Sequence, residues 1–390
     1  MDKDYFQRCE EIQESVFSIQ NEFYQTLLQP EKDIITGEDK KSGFKHLVDE
    51  GIIDIKQNGS NVQVSSKIRV RIEPLFSDAP IHPQTSHLSE VRMHRPEAMS
   101  YIDSPPTNPE GCSFCMPKLE NQTPNPKIYH DDLRTHSGQR VVSFPNLFSF
   151  GENHFITVFG DHYQDIRDLN ECDLESFFFS ACDLGKIMMD KGNRGMWSFI
   201  NFGKEAGASQ THPHSHSINK PIMDTWGLDD IEMIATEYTF QKTNKDPFVE
   251  YIDNMRDSPY FIFENDVVFI CAPFAPHFPD QVDIIPKRKI RNVVDLTGKN
   301  SPISKDEERI MVGSVLGAFH ALREKRGVTD FNFVIHQQDF HGDGIPYRLH
   351  FHITPRNKNK FGGLEAYFGS RVIPVDPVLT ARELREHYSK

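Results

Sequence analysis

The stretch from Asn201 to Ser217, NFGKEAGASQTHPHSHS, constrains this chain more tightly than any other. Three histidines, His212, His214 and His216, stand at alternate positions. In an extended segment a period of two turns all three imidazoles to one face. Ala206-Gly207-Ala208-Ser209 precedes them. A glycine there lets a phosphate approach the backbone closely, and a serine supplies a hydroxyl donor. An imidazole beside bound phosphate can attack phosphorus and form a phosphoramidate. Taken alone, an HxHxH run also reads as a histidine-rich surface turn or an opportunistic metal site. Trp197 to Ile200 reads as the strand leading into this loop.

Around that segment lie 390 residues, enough for one large domain or two with a substantial core. The formal net charge of -14 argues against non-specific binding to nucleic-acid backbones and leaves room for a local basic nucleotide pocket. No apolar run approaches the roughly 20 residues a membrane span needs. The N-terminus, MDKDYFQRCEEIQE, shows no signal-peptide apolar core. A cytoplasmic protein with neither a membrane nor a nucleic-acid partner is the expectation. Six cysteines are scattered along the chain, and only Cys112 and Cys115 form a motif. A CxxC in a reduced compartment is a redox pair or half of a zinc site. The proline-rich approach SPPTNPEG does not suggest the strand-to-helix junction a thioredoxin-like motif needs.

Periodicity supplies a coarse map. Phe6, Cys9, Ile12, Val16, Ile19, Phe23 and Leu27 predict an amphipathic helix over residues 4–28. A short helix is expected over 44–50, ended by Gly51, and one or two strands over 62–72. Arg92 and Arg95, in RMHRP, are either solvated charge or bidentate phosphate ligands. Helices are expected over 173–191, 225–256 and 306–325, the last burying Ile310, Val315, Phe319 and Leu322. Residues 332–336 and 347–356 read as strands, and His350 and His352 alternate as His214 and His216 do. That echo suggests an internal duplication whose second copy lost the nucleophile loop.

Taken in order, these motifs resemble the galactose-1-phosphate uridylyltransferase branch of the histidine triad superfamily, which includes ADP-sugar phosphorylases. Asn201, Gly203, Gly207, Ser209, His212, Pro213 and His214 match its active-site pattern. The chain departs at His216, where the branch carries glutamine. The resemblance spans roughly residues 90–375. It implies an α+β fold of tandem histidine-triad halves, each an antiparallel sheet flanked by helices, over residues 91–256 and 257–390. Residues 1–90 form an extension of helix and strand without assigned chemistry.

The resemblance also implies roles. His214 would carry the nucleotide covalently, a backbone carbonyl at or near His212 fixing its tautomer. Arg92, Arg95, Asn201, Gly207 and Ser209 would hold phosphate, and Asn146 would face the base. Cys112, Cys115, His162 and His212 would bind a structural zinc. Glu232 (or Asp230), His336, His350 and His352 would hold a second metal, iron or zinc; alternatively they pack, or touch substrate phosphate. Glu365 and Arg371 would belong to a loop reaching the sugar in the partner's site of a homodimer. The implied reaction moves a nucleoside monophosphate from a nucleotide or nucleotide-sugar donor to a small phosphorylated acceptor. Because a histidine can act as an acid or help admit water where glutamine cannot, a phosphorylase or hydrolase is the alternative. A non-enzymatic nucleotide-binding sensor is a further one. The base stays open between uracil and adenine; the FGGLE segment is closer to the ADP-sugar and dinucleotide phosphorylases.

Overall fold

The computed structural model describes the backbone of residues 35–39, 44–57, 60–72 and 84–88. It also describes residues 108–389, except 150, 152, 163, 164, 221–227, 297–300, 343, 345 and 357–372. Arg92, Arg95, Glu365, Arg371 and the helix expected over 4–28 lie outside the described residues.

An antiparallel four-stranded sheet comes first: β1 (Ile35–Asp39), β2 (Phe44–Gln57), β3 (Ser60–Ile72) and β4 (Gln84–Leu88), paired in that order. The helix expected over 44–50 is therefore wrong. That stretch is strand, and Gly51 lies inside it opposite Ser66. The helical spacing of Phe44, Leu47 and Val48 loses to a long hairpin in which Gln57 faces Ser60. The two residues between them, Asn58 and Gly59, are a dipeptide favoured in tight hairpin turns.

The rest of the described chain is built on one ten-stranded antiparallel sheet. Its first five strands in sequence are β5 (Ile128–Arg134), β6 (Arg140–Pro145), β7 (Phe155–Val158), β8 (Met196–Phe202) and β9 (His214–Asn219). The second five are β10 (Phe261–Glu264), β11 (Val268–Cys271), β12 (Val282–Pro286), β13 (Phe331–His336) and β14 (His350–Pro355). In space the order is β10-β11-β12-β14-β13-β8-β9-β7-β6-β5. Outward from the central β13–β8 pair, each side repeats one succession: fourth strand, fifth, third, second, first. Five register pairs from Phe331–Phe202 to Ile335–Ser198 join the two sides.

Helices follow the third strand on each side. They are α2 (Glu171–Asp190) and α5 (Lys305–Arg326); a short α1 (Lys118–Gln122) precedes β5. Both long helices begin with a capping box, Asn170 with Asp173 and Ser304 with Glu307, satisfying amides that the first turn leaves without partners. Gly327, at φ 67°, closes α5 in the left-handed conformation. Phe177, Phe178 and Phe319 enter the core against Phe333, Phe351 and Phe331, with ring centroids 4.7 to 5.8 Å apart. Replacing one such fully buried ring by alanine costs about 3–5 kcal/mol. Ile310, expected on the apolar side of α5, instead faces outward at 44% exposure, and its neighbour Met311 is buried.

Alternation in the central strands decides which face is left for chemistry. On β8, Met196, Ser198, Ile200 and Phe202 are buried, and Trp197, Phe199 and Asn201 are only half-buried. The single helical stretch expected over 225–256 is two helices, α3 (Leu228–Thr243) and α4 (Pro247–Arg256). Asp246 caps the second and Pro247 takes its first position, where a missing N–H costs nothing. A last helix, α6 (Pro377–Tyr388), closes the described chain. No helix among the described residues is long and apolar enough to cross a membrane.

Candidate active site

The loop between β8 and β9 carries the histidine run, and its shape follows from two glycines. Gly203 and Gly207 both sit at φ +86°, which favours glycine, and flank a single 3-10 turn over Lys204–Ala206. At Gly203 an added Cβ would also overlap the Asp330 carboxylate, which accepts from the Glu205 amide at 2.9 Å. At Gly207 an added Cβ would meet no described atom within 4 Å, and the Gly207 amide itself donates to the Lys204 carbonyl at 2.9 Å, closing the turn. Asn332 on β13 donates to Asn201 Oδ1 at 2.7 Å and to the Ala206 carbonyl at 2.9 Å. The second side of the sheet thus ties down the first side's loop.

The chain then turns through His212 into β9. Cys112, Cys115, His162 and His212, brought from three separate segments, place one ligand atom each within 4.8 Å of all the others. Cys115 Sγ lies 3.4 Å from Nδ1 of both His162 and His212, and Cys112 Sγ lies 3.8 Å from His212 Nδ1. A tetrahedral zinc, with Zn–S about 2.3 Å and Zn–N about 2.0–2.1 Å, puts sulfur and nitrogen about 3.5 Å apart. The spacing fits. The tautomer fits too: His212 Nε2 is 2.7 Å from the Gly160 carbonyl and must donate to it, which turns the Nδ1 lone pair toward the thiols. Burial lowers His212 to about 4, keeping the imidazole neutral as a ligand must be. Burial, then the neighbouring Cys112, pushes the Cys115 thiol up to about 12, and a divalent cation among these atoms would reverse that. Phe114, between the cysteines, presents its ring edge-on to His214 at 5.1 Å.

His214 is almost fully buried, at 2% exposure. Its Nδ1 donates to the His212 carbonyl at 2.8 Å, the carbonyl expected from sequence. Its lone pair is therefore on Nε2, the form an in-line attack on phosphorus needs. His216, two residues on, stacks on Phe199 at 4.9 Å and 15°. Its Nδ1 meets Nε2 of His154 at 2.9 Å. Asn146 reaches the same group: its backbone N–H donates to the His154 carbonyl and its amide contacts the His154 ring. His154 has no motif around it in sequence. Its presence is decided by β7 pairing with β9, which sets Ile156 opposite His216.

A second cluster occupies the other side of the sheet. Glu232 on α3, His336 on β13 and His350 and His352 on β14 also place ligand atoms within 4.8 Å of one another. Glu232 Oε2 lies 2.8 Å from His336 Nδ1 and 3.3 Å from His350 Nε2, and accepts from Tyr347 at 3.0 Å. Burial works to raise the Glu232 carboxyl, but the bonds and charge of His336 and His350 outweigh it and hold it below the usual range. His352 donates Nδ1–H to Asp283 at 2.7 Å, and its buried Nε2 has no hydrogen-bond partner. That orphaned lone pair beside a carboxylate and two imidazoles suits a divalent metal. The cluster lines a cavity of about 680 Å³ that also touches Asn201 and Asn332. The side chain of Asp230, the other carboxylate considered, lies outside the described ones.

Comparison with known proteins follows this geometry. The chain is 25% identical over 197 residues to the galactose-1-phosphate uridylyltransferase of Thermotoga maritima, covering 48% of this chain and 58% of that protein. It is 25% identical over 192 residues to the ADP-glucose phosphorylase of Arabidopsis thaliana, covering 48% and 50%. Among solved structures, a uridylyltransferase superposes with TM-score 0.56 at 20% identity, covering 64% of this chain and 85% of that one. The Arabidopsis thaliana ADP-glucose phosphorylase with bound ADP-glucose gives 0.59 at 18%, covering 70% and 90%. The fold and the relatives are those of the galactose-1-phosphate uridylyltransferase-like branch of the histidine triad superfamily. No family model matches the chain. The chain spans about half the length of the curated relatives it matches.

Proposed function

We propose that the chain is a nucleotidyltransferase that works through a covalent nucleotidyl-histidine at His214. The observation that carries the reading is the 2.8 Å bond from His214 Nδ1–H to the His212 carbonyl, which puts the nucleophilic lone pair on Nε2. That nitrogen attacks the α-phosphorus of a nucleotide or nucleotide-sugar donor, forming N–P as the bridging P–O bond breaks. The donor's remaining phosphate leaves with the bond's electron pair. An oxygen of a phosphorylated acceptor then attacks phosphorus, N–P breaks, and the neutral imidazole returns. The kinetics are ping-pong with net retention at phosphorus. Asn201, Gly207 and Ser209, with Arg92 and Arg95, balance charge on the transferring group. Asn146 faces the base. The nucleotide donor is the partner class, with uridylyl and adenylyl groups the two candidates, and the working unit is a homodimer in which Glu365 and Arg371 contact sugar.

Cys112, Cys115, His162 and His212 would hold zinc in a closed tetrahedral shell. Zinc there supplies folding energy and pins the start of β9, with no open position for activating water. Glu232, His336, His350 and His352 would hold a second divalent metal. A phosphorylase or hydrolase is the second reading, favoured by His216 in the place of glutamine.

Intact-protein mass after brief mixing with UDP-sugars, ADP-sugars, GDP-sugars, ATP and diadenosine polyphosphates tests both. A nucleoside monophosphate adduct that is acid-labile and absent in His214→Asn is the expected result, and it names the base. Steady release of free monophosphate into water without an adduct favours the hydrolase. Neither adduct nor turnover with any donor overturns the enzymatic reading.

A further inference from the structure

We propose that the cavity on the second half of the sheet is a second ligand site, separate from His214, that takes a planar-ringed molecule with one oxygen donor and at most one negative charge. The inference does not rest on the nucleotidyl-transfer reading.

The repeat of the fold locates it. In the first half the link from second to third strand, residues 146–154, brings His154 against the His216 ring at 2.9 Å. In the second half the corresponding link, residues 272–281, brings Gln281 within 3.4 Å of the His352 ring. Here the space so enclosed is about 680 Å³, room for a small organic molecule. The link supplies Phe274 and Phe278, strands β13 and β14 supply Val334 and Thr354, and α4 supplies Phe248 and Tyr251. Toward the first half the cavity ends at Asn201 and Asn332, which are bonded to each other at 2.7 Å.

Four aromatic rings wall the cavity, and each is held by a neighbour. Phe248 packs on the His350 ring at 5.2 Å, with the Arg348 guanidinium 5.4 Å from its centroid. Arg356 stands over Phe278 at 5.2 Å. The Tyr251 hydroxyl lies 3.7 Å from Cys271 Sγ, and Phe274 meets Tyr260 edge-on at 5.5 Å. Rings fixed in advance lose little freedom when a ligand arrives, so a flat ring gains the most from burial among them.

The metal cluster forms the polar end. His352 Nε2, with no hydrogen-bond partner, lines the cavity beside Glu232, His336 and His350. A divalent ion among those four would favour a ligand oxygen on the cavity side. Charge then sets the limit. Glu232 and Asp283, both lining the cavity, together balance a dication, and none of the described lining residues is Lys or Arg. A phosphate dianion would be taken out of water here without a counter-charge, which is costly. A neutral or singly charged oxygen donor avoids that cost.

The test uses the full chain loaded with zinc and follows three probes by ligand-observed NMR titration: benzohydroxamic acid, acetohydroxamic acid and phenyl phosphate. Benzohydroxamic acid should bind at least about 10-fold tighter than acetohydroxamic acid, the effect of burying one ring. Phenyl phosphate should bind no tighter than acetohydroxamic acid. Phe274, at 71% exposure, can be truncated without removing a core side chain. Phe274→Ala and Phe278→Ala should each weaken benzohydroxamic acid by about threefold to 10-fold and leave acetohydroxamic acid unchanged. His352→Ala should abolish the binding, and His214→Asn should leave it intact. No binding of benzohydroxamic acid, or equal affinity for the two hydroxamic acids, overturns the proposal. So does phenyl phosphate binding tighter than benzohydroxamic acid, indifference to both phenylalanine substitutions, retention in His352→Ala, or loss in His214→Asn. None of these titrations reads nucleotide transfer, so a failed adduct experiment leaves their outcome standing.

Discussion

The two sides of the ten-stranded sheet are one design used twice. Each runs through the same strand succession from the central pair, places a capped helix after its third strand, and ends in a strand that begins His-x-His. In both, the first histidine of that strand bonds through Nδ1 to the backbone carbonyl two residues before it. What surrounds the pair differs. On one side Nε2 belongs to a ring packed against Phe114, after a loop that Gly203 and Gly207 shape. On the other, Nε2 of His350 faces the Glu232 carboxylate at 3.3 Å. The same locked imidazole is thus a nucleophile candidate beside the glycine-shaped loop and a metal-ligand candidate where the Glu232 carboxylate faces it. Chemistry here is set by what faces the ring, and the strand itself is neutral between the two outcomes.

The largest effect should separate the two sides outright. His214→Asn should lower nucleotide transfer by at least about 10³-fold, as loss of a covalent nucleophile does. His350→Asn should leave adduct formation measurable by mass. Equal loss in both would break the assignment of different roles. Next, Cys115→Ser should remove one zinc per chain by elemental analysis and lower stability by about 3 kcal/mol or more, measured by denaturant unfolding. His352→Ala should remove a different metal and spare the zinc.

Acid should act on the first side. The folded His212 is lowered to about 4 against an unfolded value near 6.5, so the unfolded chain binds more protons between those values. Stability should therefore fall as pH drops from about 6.5 toward 4, and metal release works in the same direction because the ligands must be deprotonated. A flat unfolding free energy across that window would contradict the assignment. A smaller change probes the tie between the sides. Asn332→Ala removes both bonds to the Asn201 side chain and the Ala206 carbonyl and should cost about 1–3 kcal/mol, with a slower transfer step in single-turnover measurement. The smallest concerns the covering helix of the second side. Ile310→Ala should stay within about 0.5 kcal/mol in thermal unfolding, and Met311→Ala should cost about 2–5 kcal/mol.

Much of the second side was legible because its elements announce themselves locally. The helix expected over 306–325 is Lys305–Arg326, and the strand expected over 332–336 is Phe331–His336. Both metal clusters were named through the family resemblance, and the structure brings the ligand atoms of each within 4.8 Å of one another. The misreadings have local causes. Phe44, Leu47 and Val48 suit a helix, but pairing with β3 over thirteen positions outweighs so short a periodic signal. Ile310 fits the apolar spacing of α5 as well as its neighbours do, and only the position of α5 on the sheet selects Met311 for the core.

By itself the sequence determined the alternating histidines, the glycines that shape their loop and the order of the ligand residues, because these depend on residue type and on period along one strand. Tertiary structure alone decided that His154 meets His216 and that Asp283 meets His352, since both contacts join strands far apart in sequence. It also decided that Asn332 and Asp330 from one side hold the loop of the other. A hydrogen bond is a matter of tenths of an ångström, and across 62 residues of chain between His154 and His216 only the packed sheet sets it.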